Sequence, residues 1–230
     1  MISNLHEIIT LANEYSKYLE RAGVGFDERG FPVLLKSAFL DEWPDQMVAY
    51  GHRHARYVKN ASKTVLCFYG SDVENYRRLE RVMKDLPEYG QYLGVVASDV
   101  SVIRGMEAEW EDFIMLVNQL FMAILAVNGI KIVVNLRSGS KRSEQNFSNI
   151  PSGVMCSSGT LGCDGLSSPA DFDYASKILR VRPSKLLIYG KQDRLMEEQL
   201  NTLGVNFRRY DDAHRVYKLQ GHSCDHSTPS

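Results

Sequence analysis

Two aspartates stand directly behind apolar runs, where a buried strand would hand a carboxylate to a solvent-facing rim. Asp72 follows the run 64–69, and Asp99 follows the run 93–97. A partly desolvated carboxylate in that position suits general acid or base chemistry, or the holding of a divalent cation. Aspartate at the same place also caps a following helix or orders a loop. Both readings stand for both residues.

Other polar groups close the remaining apolar runs: Ser101 just beyond Asp99, Asn135 and Arg137 after 130–134, the stretch Ser157-Ser158-Gly159-Thr160 after 154–156, and Tyr189 before Gly190. If the runs are parallel strands, these groups share one rim with the aspartates. Asp99 and Asp72 are then the expected catalytic groups. Ser101, Asn135, Arg137, Ser157, Ser158, Gly159, Thr160 and Tyr189 are the expected ligand contacts.

The segment 157–168 carries Gly159, Gly162 and Gly165 among hydroxyls, and a helix start follows at Ser168-Pro169-Ala170-Asp171. Glycines let backbone amides turn toward an anion, and a helix N-terminus adds positive potential. It is a phosphate cradle or a plain turn, and it matches neither the Walker pattern nor GxGxxG. The polar loop 137–149 holds Arg137, Lys141 and Arg142 ahead of Phe147, a composition that suits a nucleotide, single-stranded nucleic acid or solvent alone.

Metal and nucleophile patterns are thin. His52-Arg53-His54 has no obvious partner. His222-Ser223-Cys224-Asp225-His226 has no second cluster at zinc spacing, and Cys163 beside Gly162 has no assignable histidine. No metal site is expected, and no cofactor is named.

The elements that must position these groups follow from hydrophobic rhythm. A first amphipathic helix carries Leu5, Ile8, Ala12, Tyr15 and Leu19, with Asn4 and Glu7 at its start. Residues 31–35 and 46–50 read as short strands. From residue 64, β-branched runs at 64–69, 93–97, 130–134, 154–156, 185–189 and 205–210 alternate with helices at 73–86, 107–127, from 168 to before Pro183, and 195–203. That alternation predicts an α/β fold with a mainly parallel sheet. A doubly wound sheet with helices on both faces is the first expectation, and a compact or incomplete β/α barrel the alternative. Residues 1–220 read as one α/β domain with an N-terminal helical segment at 1–60, and 221–230 as a polar, disordered tail.

At 230 residues, with 44% hydrophobic and 24% charged residues, the chain can bury a full core without disulfides. Its four cysteines include no CxxC pair and suit reduced thiols. A net charge of -1 argues against a protein that coats nucleic acid or an anionic membrane. The apolar run 113–127 is short for a bilayer and interrupted by Asn118 and Gln119. A cytoplasmic location is expected, with no membrane partner.

Several segments occur in order that resemble the domain-of-unknown-function 4417 family of phages, prophages and bacterial mobile elements. They are Cys67-Phe68-Tyr69-Gly70-Ser71-Asp72, Ala97-Ser98-Asp99-Val100-Ser101, Asn146-Phe147-Ser148-Asn149-Ile150-Pro151-Ser152-Gly153, Val154-Met155-Cys156-Ser157-Ser158-Gly159-Thr160-Leu161-Gly162, and Arg182-Pro183-Ser184-Lys185-Leu186-Leu187-Ile188-Tyr189-Gly190. Ala97 and Val100 depart from the proline and aromatic common around the aspartate, and Arg137 stands where an aromatic is common. The resemblance implies a phage or mobile-element origin and points to Asp72, Asp99, Ser101, Ser157, Ser158 and Gly159. It brings no established activity. The leading expectation is a protein that binds or processes a nucleotide-type phosphorylated ligand, in counter-defence. A non-catalytic binder of a host protein through Trp43, Trp110 or the first helix is the alternative. Nucleic-acid binding through Arg137, Lys141, Arg142, Arg208 and Arg209 is the third.

Overall fold

The computed structural model describes residues 4–102, 105–137, 142–159 and 172–219. Helix α1 spans Leu5–Arg21, with the Asn4 side chain accepting from the Glu7 amide, and its stripe of Ile8, Ala12, Tyr15 and Leu19 is buried. A small hairpin follows, β1 (Gly25–Phe26) antiparallel to β2 (Pro32–Val33). The main sheet then runs β3 (Gln46–Ala49), β4 (Thr64–Cys67), β5 (Gly94–Val96), β6 (Ile132–Asn135), β7 (Met155–Gly159), β8 (Lys185–Tyr189) and β9 (Phe207–Tyr210). Between them lie α2 (Asp72–Tyr89), α3 (Ala108–Val127), α4 (Phe172–Val181) and α5 (Arg194–Thr202), and α6 (Ala213–Leu219) follows β9. The rhythm expected from residue 64 onward is present; α6 is an addition to it.

The seven main strands are all parallel, and they pair in sequence order from β3 to β9. A doubly wound sheet reverses its order at a switch point, and this one does not. Crossovers of a single hand in one direction put every helix on the same face, so the sheet must curl. The α/β fold with a parallel sheet is as expected, but the first expectation for its closure, a doubly wound sheet, gives way to the alternative: the strand order is that of an incomplete barrel.

Side chains prove the curl. In a flat sheet β9 would lie roughly 29 Å from β3, six inter-strand spacings of about 4.8 Å each. Instead the Tyr210 hydroxyl donates to the Pro44 carbonyl at 3.0 Å, and Arg208 lies 4.5 Å over the Trp43 ring. These contacts, rather than a backbone ladder, span the seam. On the outside α6 backs it, with Tyr217 edge-on to Tyr57 at 5.3 Å.

Strand periodicity then splits the core in two. Met47, Val65, Cys67, Val96, Val133, Met155, Leu187 and Tyr189 form an inner cluster, while Val48, Leu66, Val95, Ile132, Val134, Cys156 and Ile188 pack outward under the helices. At the N-terminal end, Leu40 plugs the interior: a Cβ on Gly94 would lie 3.1 Å from Leu40 Cδ2. Helix α3 is long and apolar enough by composition to cross a membrane, yet it is mostly buried here, against α1, α2 and the barrel. Cys67 and Cys156 are buried free thiols; Cys163, Cys224 and the tail 221–230 lie outside the described residues.

Candidate functional site

The carboxyl ends of β4, β5 and β6 bring five of the expected residues together. Ser71 caps α2, its Oγ accepting from the Glu74 amide at 3.3 Å. That leaves Asp72, the first helical residue, free of the capping role, and its Oδ1 accepts the Ser101 amide at 2.9 Å. One turn on, buried Asn75 donates to the Asp99 carbonyl at 2.9 Å. The start of α2 thus grips the loop 98–101 from one side.

Asn118 grips it from the other. This α3 amide accepts from the Ser98 hydroxyl and from the Val100 amide, the latter at 3.2 Å, and donates to the Val100 carbonyl at 3.1 Å. The backbone on both sides of Asp99 is therefore fixed, and its carboxylate is aimed. Asn135, ending β6, donates to Asp99 Oδ1 at 2.7 Å. Arg137 lies two residues further along the same face. Its Nη1 stands 3.7 Å from Asp99 Oδ2, and its Nη2 donates to Ser101 Oγ at 3.1 Å.

The electrostatics of this group are uneven. Asp99 is 7% exposed, whereas the Arg137 side chain is 39% exposed. Burial pushes the Asp99 carboxyl up from 3.8 to about 6; Arg137 and the Asn135 hydrogen bond oppose the shift, and the Asp72 charge adds to it. Loss of hydration thus outweighs a cation and an amide. A carboxyl near neutrality can both accept and return a proton.

Ser157, Gly159 and Tyr189 occupy the mouth of the barrel beside this group. Ser157 is the register neighbour of Asn135 and is fully buried, accepting from the Tyr69 hydroxyl at 2.8 Å. Tyr69 stacks on Tyr189, with centroids 5.8 Å apart and rings 20° from parallel. Gly159 lies flat against Tyr69, since a Cβ there would come within 2.9 Å of the ring. These residues line and close the interior. Tyr189 is 1% exposed, so it forms wall rather than ligand-facing surface. Ser158 points the other way along β7 and is half-buried. Thr160, the glycine-rich segment beyond it and the helix start at Ser168-Pro169 lie outside the described residues, as do Lys141 and the side chain of Arg142.

Asn75, Asn118 and Tyr69 are the site residues that sequence reasoning missed. Asn118 and its neighbour Gln119 do leave a signal, two amides inside an apolar helix, but by hydropathy alone they mark only a break in the run. Gln119 also carries load, donating to the Asn146 carbonyl at 2.6 Å and accepting from Asn149 at 2.6 Å. A cavity of about 20 Å³ lies between α3 and β6, lined by Asn118, Asn135, Arg137 and Phe147 among others. That is room for one water.

The histidine pair has a structural setting. Arg53 binds Glu88 at 2.6 Å, His54 lies 3.2 Å from the same carboxylate, and His52 meets the Tyr217 ring. Among the described residues no three His, Cys, Asp or Glu side chains gather as a metal site. The model of a family described as a domain of unknown function, DUF4417, matches residues 28–211, from the tip of the first hairpin to the end of β9. No curated protein and no solved structure matches the chain.

Proposed function

The chain belongs to the DUF4417 family, and we propose that this member, of phage or mobile-element origin, binds a small phosphorylated ligand of nucleotide type at the carboxyl-end rim of its barrel. Asp99 is the proton-transferring group, and Arg137 meets the ligand's charge. One observation carries this reading: a buried carboxyl held near neutrality, gripped by two helices and paired with a half-exposed guanidinium at the end where parallel α/β folds place ligands. The Arg137 fork suits phosphate geometry. Ser101 supplies a hydroxyl beside it, and Asp72 fixes the Ser101 amide. Action against host nucleotide signalling is the role that such a ligand and such an origin suggest together.

The other two readings have less behind them. Trp43 is covered by Arg208, and Trp110 stacks on Phe113 at 5.3 Å, so neither is a free anchor for a host protein. Arg209 is engaged by Glu197 and Asp211, at 3.6 and 2.9 Å, and is poorly placed to recruit phosphates.

A thermal-shift screen against nucleotides, cyclic nucleotides, dinucleotides and divalent ions tests the proposal. A ligand at a hundred times its dissociation constant should stabilise by about 2.7 kcal/mol. The expected result is a shift with a phosphorylated compound that disappears in Arg137→Ala and loses turnover in Asp99→Asn. Silence across the screen, with a stoichiometric host protein co-purifying instead, would replace the ligand reading with the partner reading.

A further inference from the structure

Resting on the reading of Asp99 and Arg137 as an anion site, we infer that an anion binds there together with a proton, which Asp99 takes up. The guanidinium already serves two acceptors, Asp99 Oδ2 at 3.7 Å and Ser101 Oγ at 3.1 Å. An arriving anion competes for that same guanidinium. Asp99 then loses the attraction of its cation and gains a repulsion, in a setting where it is only 7% exposed and water screens little.

The groups around Asp99 leave it one way to relieve that repulsion. From α2 the facing charge is Asp72, of the same sign. From β4 it is the buried Cys67 thiol, whose ionisation burial and the Asp99 charge both oppose. From β6 and α3 the neighbours are the neutral amides of Asn135 and Asn118. None of these replaces Arg137 as a counter-charge. A proton from solvent can, by adding to Oδ2, the oxygen that faces Arg137, while Oδ1 keeps the Asn135 amide. The neutral carboxyl then turns its O–H toward the bound anion, so a repelling acceptor becomes a donor beside the guanidinium. The unliganded carboxyl, pushed up to about 6, already lies close to that transition.

Sulfate is the probe, because its charge is constant across the working range of pH. Calorimetric titration at pH 7.5 in two buffers of different ionisation enthalpy should show uptake approaching one proton per sulfate. Affinity should fall up to about tenfold per pH unit above the unliganded Asp99 pKa and level off below it. Asp99→Asn should bind sulfate with little dependence on pH. Sulfate binding that is lost in Arg137→Ala yet carries no proton uptake overturns this inference and leaves the anion site standing. So does a pH dependence that survives in Asp99→Asn. Absence of sulfate binding, or binding indifferent to Arg137→Ala, overturns both. If Asp99→Asn does not fold, the two-buffer comparison on the unaltered protein decides.

Discussion

Asp99 is where stability and chemistry pull apart. Its folded pKa, about 6, lies above the ordinary 3.8. The folded state therefore holds this proton more tightly than the unfolded chain does. The stabilising contribution is fully present below about pH 4 and is lost as the pH rises through about 6. Two pH units correspond to roughly 3 kcal/mol. Asp99→Asn keeps a neutral side chain of the same shape and removes that loss. The expected outcome is a melting temperature raised by about 5–10 °C at pH 7.5, with little difference from the parent at pH 4. Thermal unfolding at the two pH values checks it. A variant less stable at pH 7.5 would mean that the Arg137 pair outweighs the burial of the charge.

The connection beside the site is tied down in part by Arg29 of the first hairpin. Arg29 donates to Asn146 Oδ1 at 2.7 Å, to the Gln145 carbonyl at 3.1 Å and to Ser148 Oγ at 2.9 Å, and it lies 5.1 Å over the Phe31 ring. Asn146 passes the restraint on to Asp112 of α3 at 2.6 Å. The connection from β6 to β7, whose 3₁₀ stretch is Arg142–Phe147, is thereby tied to the hairpin and to α3. Arg29→Ala should cost roughly 1–3 kcal/mol, because Asn146 is buried and loses a charge-assisted partner. Faster amide exchange at residues 145–150, with the barrel strands unchanged, is the expected signature. Faster exchange spread evenly over the strands would assign Arg29 to global stability instead. None of these pairings, which join residues 116–119 positions apart, could be read from spacing, because the partners are loop amides and carbonyls without a periodic pattern.

At the scale of the whole molecule, the barrel mouth depends on a missing side chain. Gly159→Ala would set a methyl 2.9–3.1 Å from the Tyr69 ring, which is itself fixed by Ser157 and by stacking on Tyr189. Three strands would have to adjust together, at a cost of roughly 1–3 kcal/mol. Pairing with Tyr69→Ala tests the mechanism, since the methyl should then be tolerated and the double-mutant cycle should show strong coupling. Additive effects would place the strain elsewhere.

The sequence by itself determined the element types, because periodicity and β-branched runs report local burial: β4 to β9 and α1 to α5 fall where the rhythm places them. It also determined that Asp72, Asp99, Ser101, Asn135 and Arg137 follow strands, so parallel pairing was enough to bring them to one rim. It was silent on α6 and on the amides of Asn75 and Asn118 as clamps, and it put the doubly wound sheet ahead of the barrel order that the chain adopts. The central strands β4, β5 and β6 are buried on both faces whichever way the sheet closes, so hydrophobicity along them cannot tell the two closures apart. Only the tertiary structure decided that the strands pair in order, that Tyr210 reaches Pro44 across the seam, and that packing of the loop 98–101 between α2 and α3 strips Asp99 of water and lifts its carboxyl toward neutrality. Pairing order and desolvation are properties of the assembled elements, which is why neither could be read from the sequence.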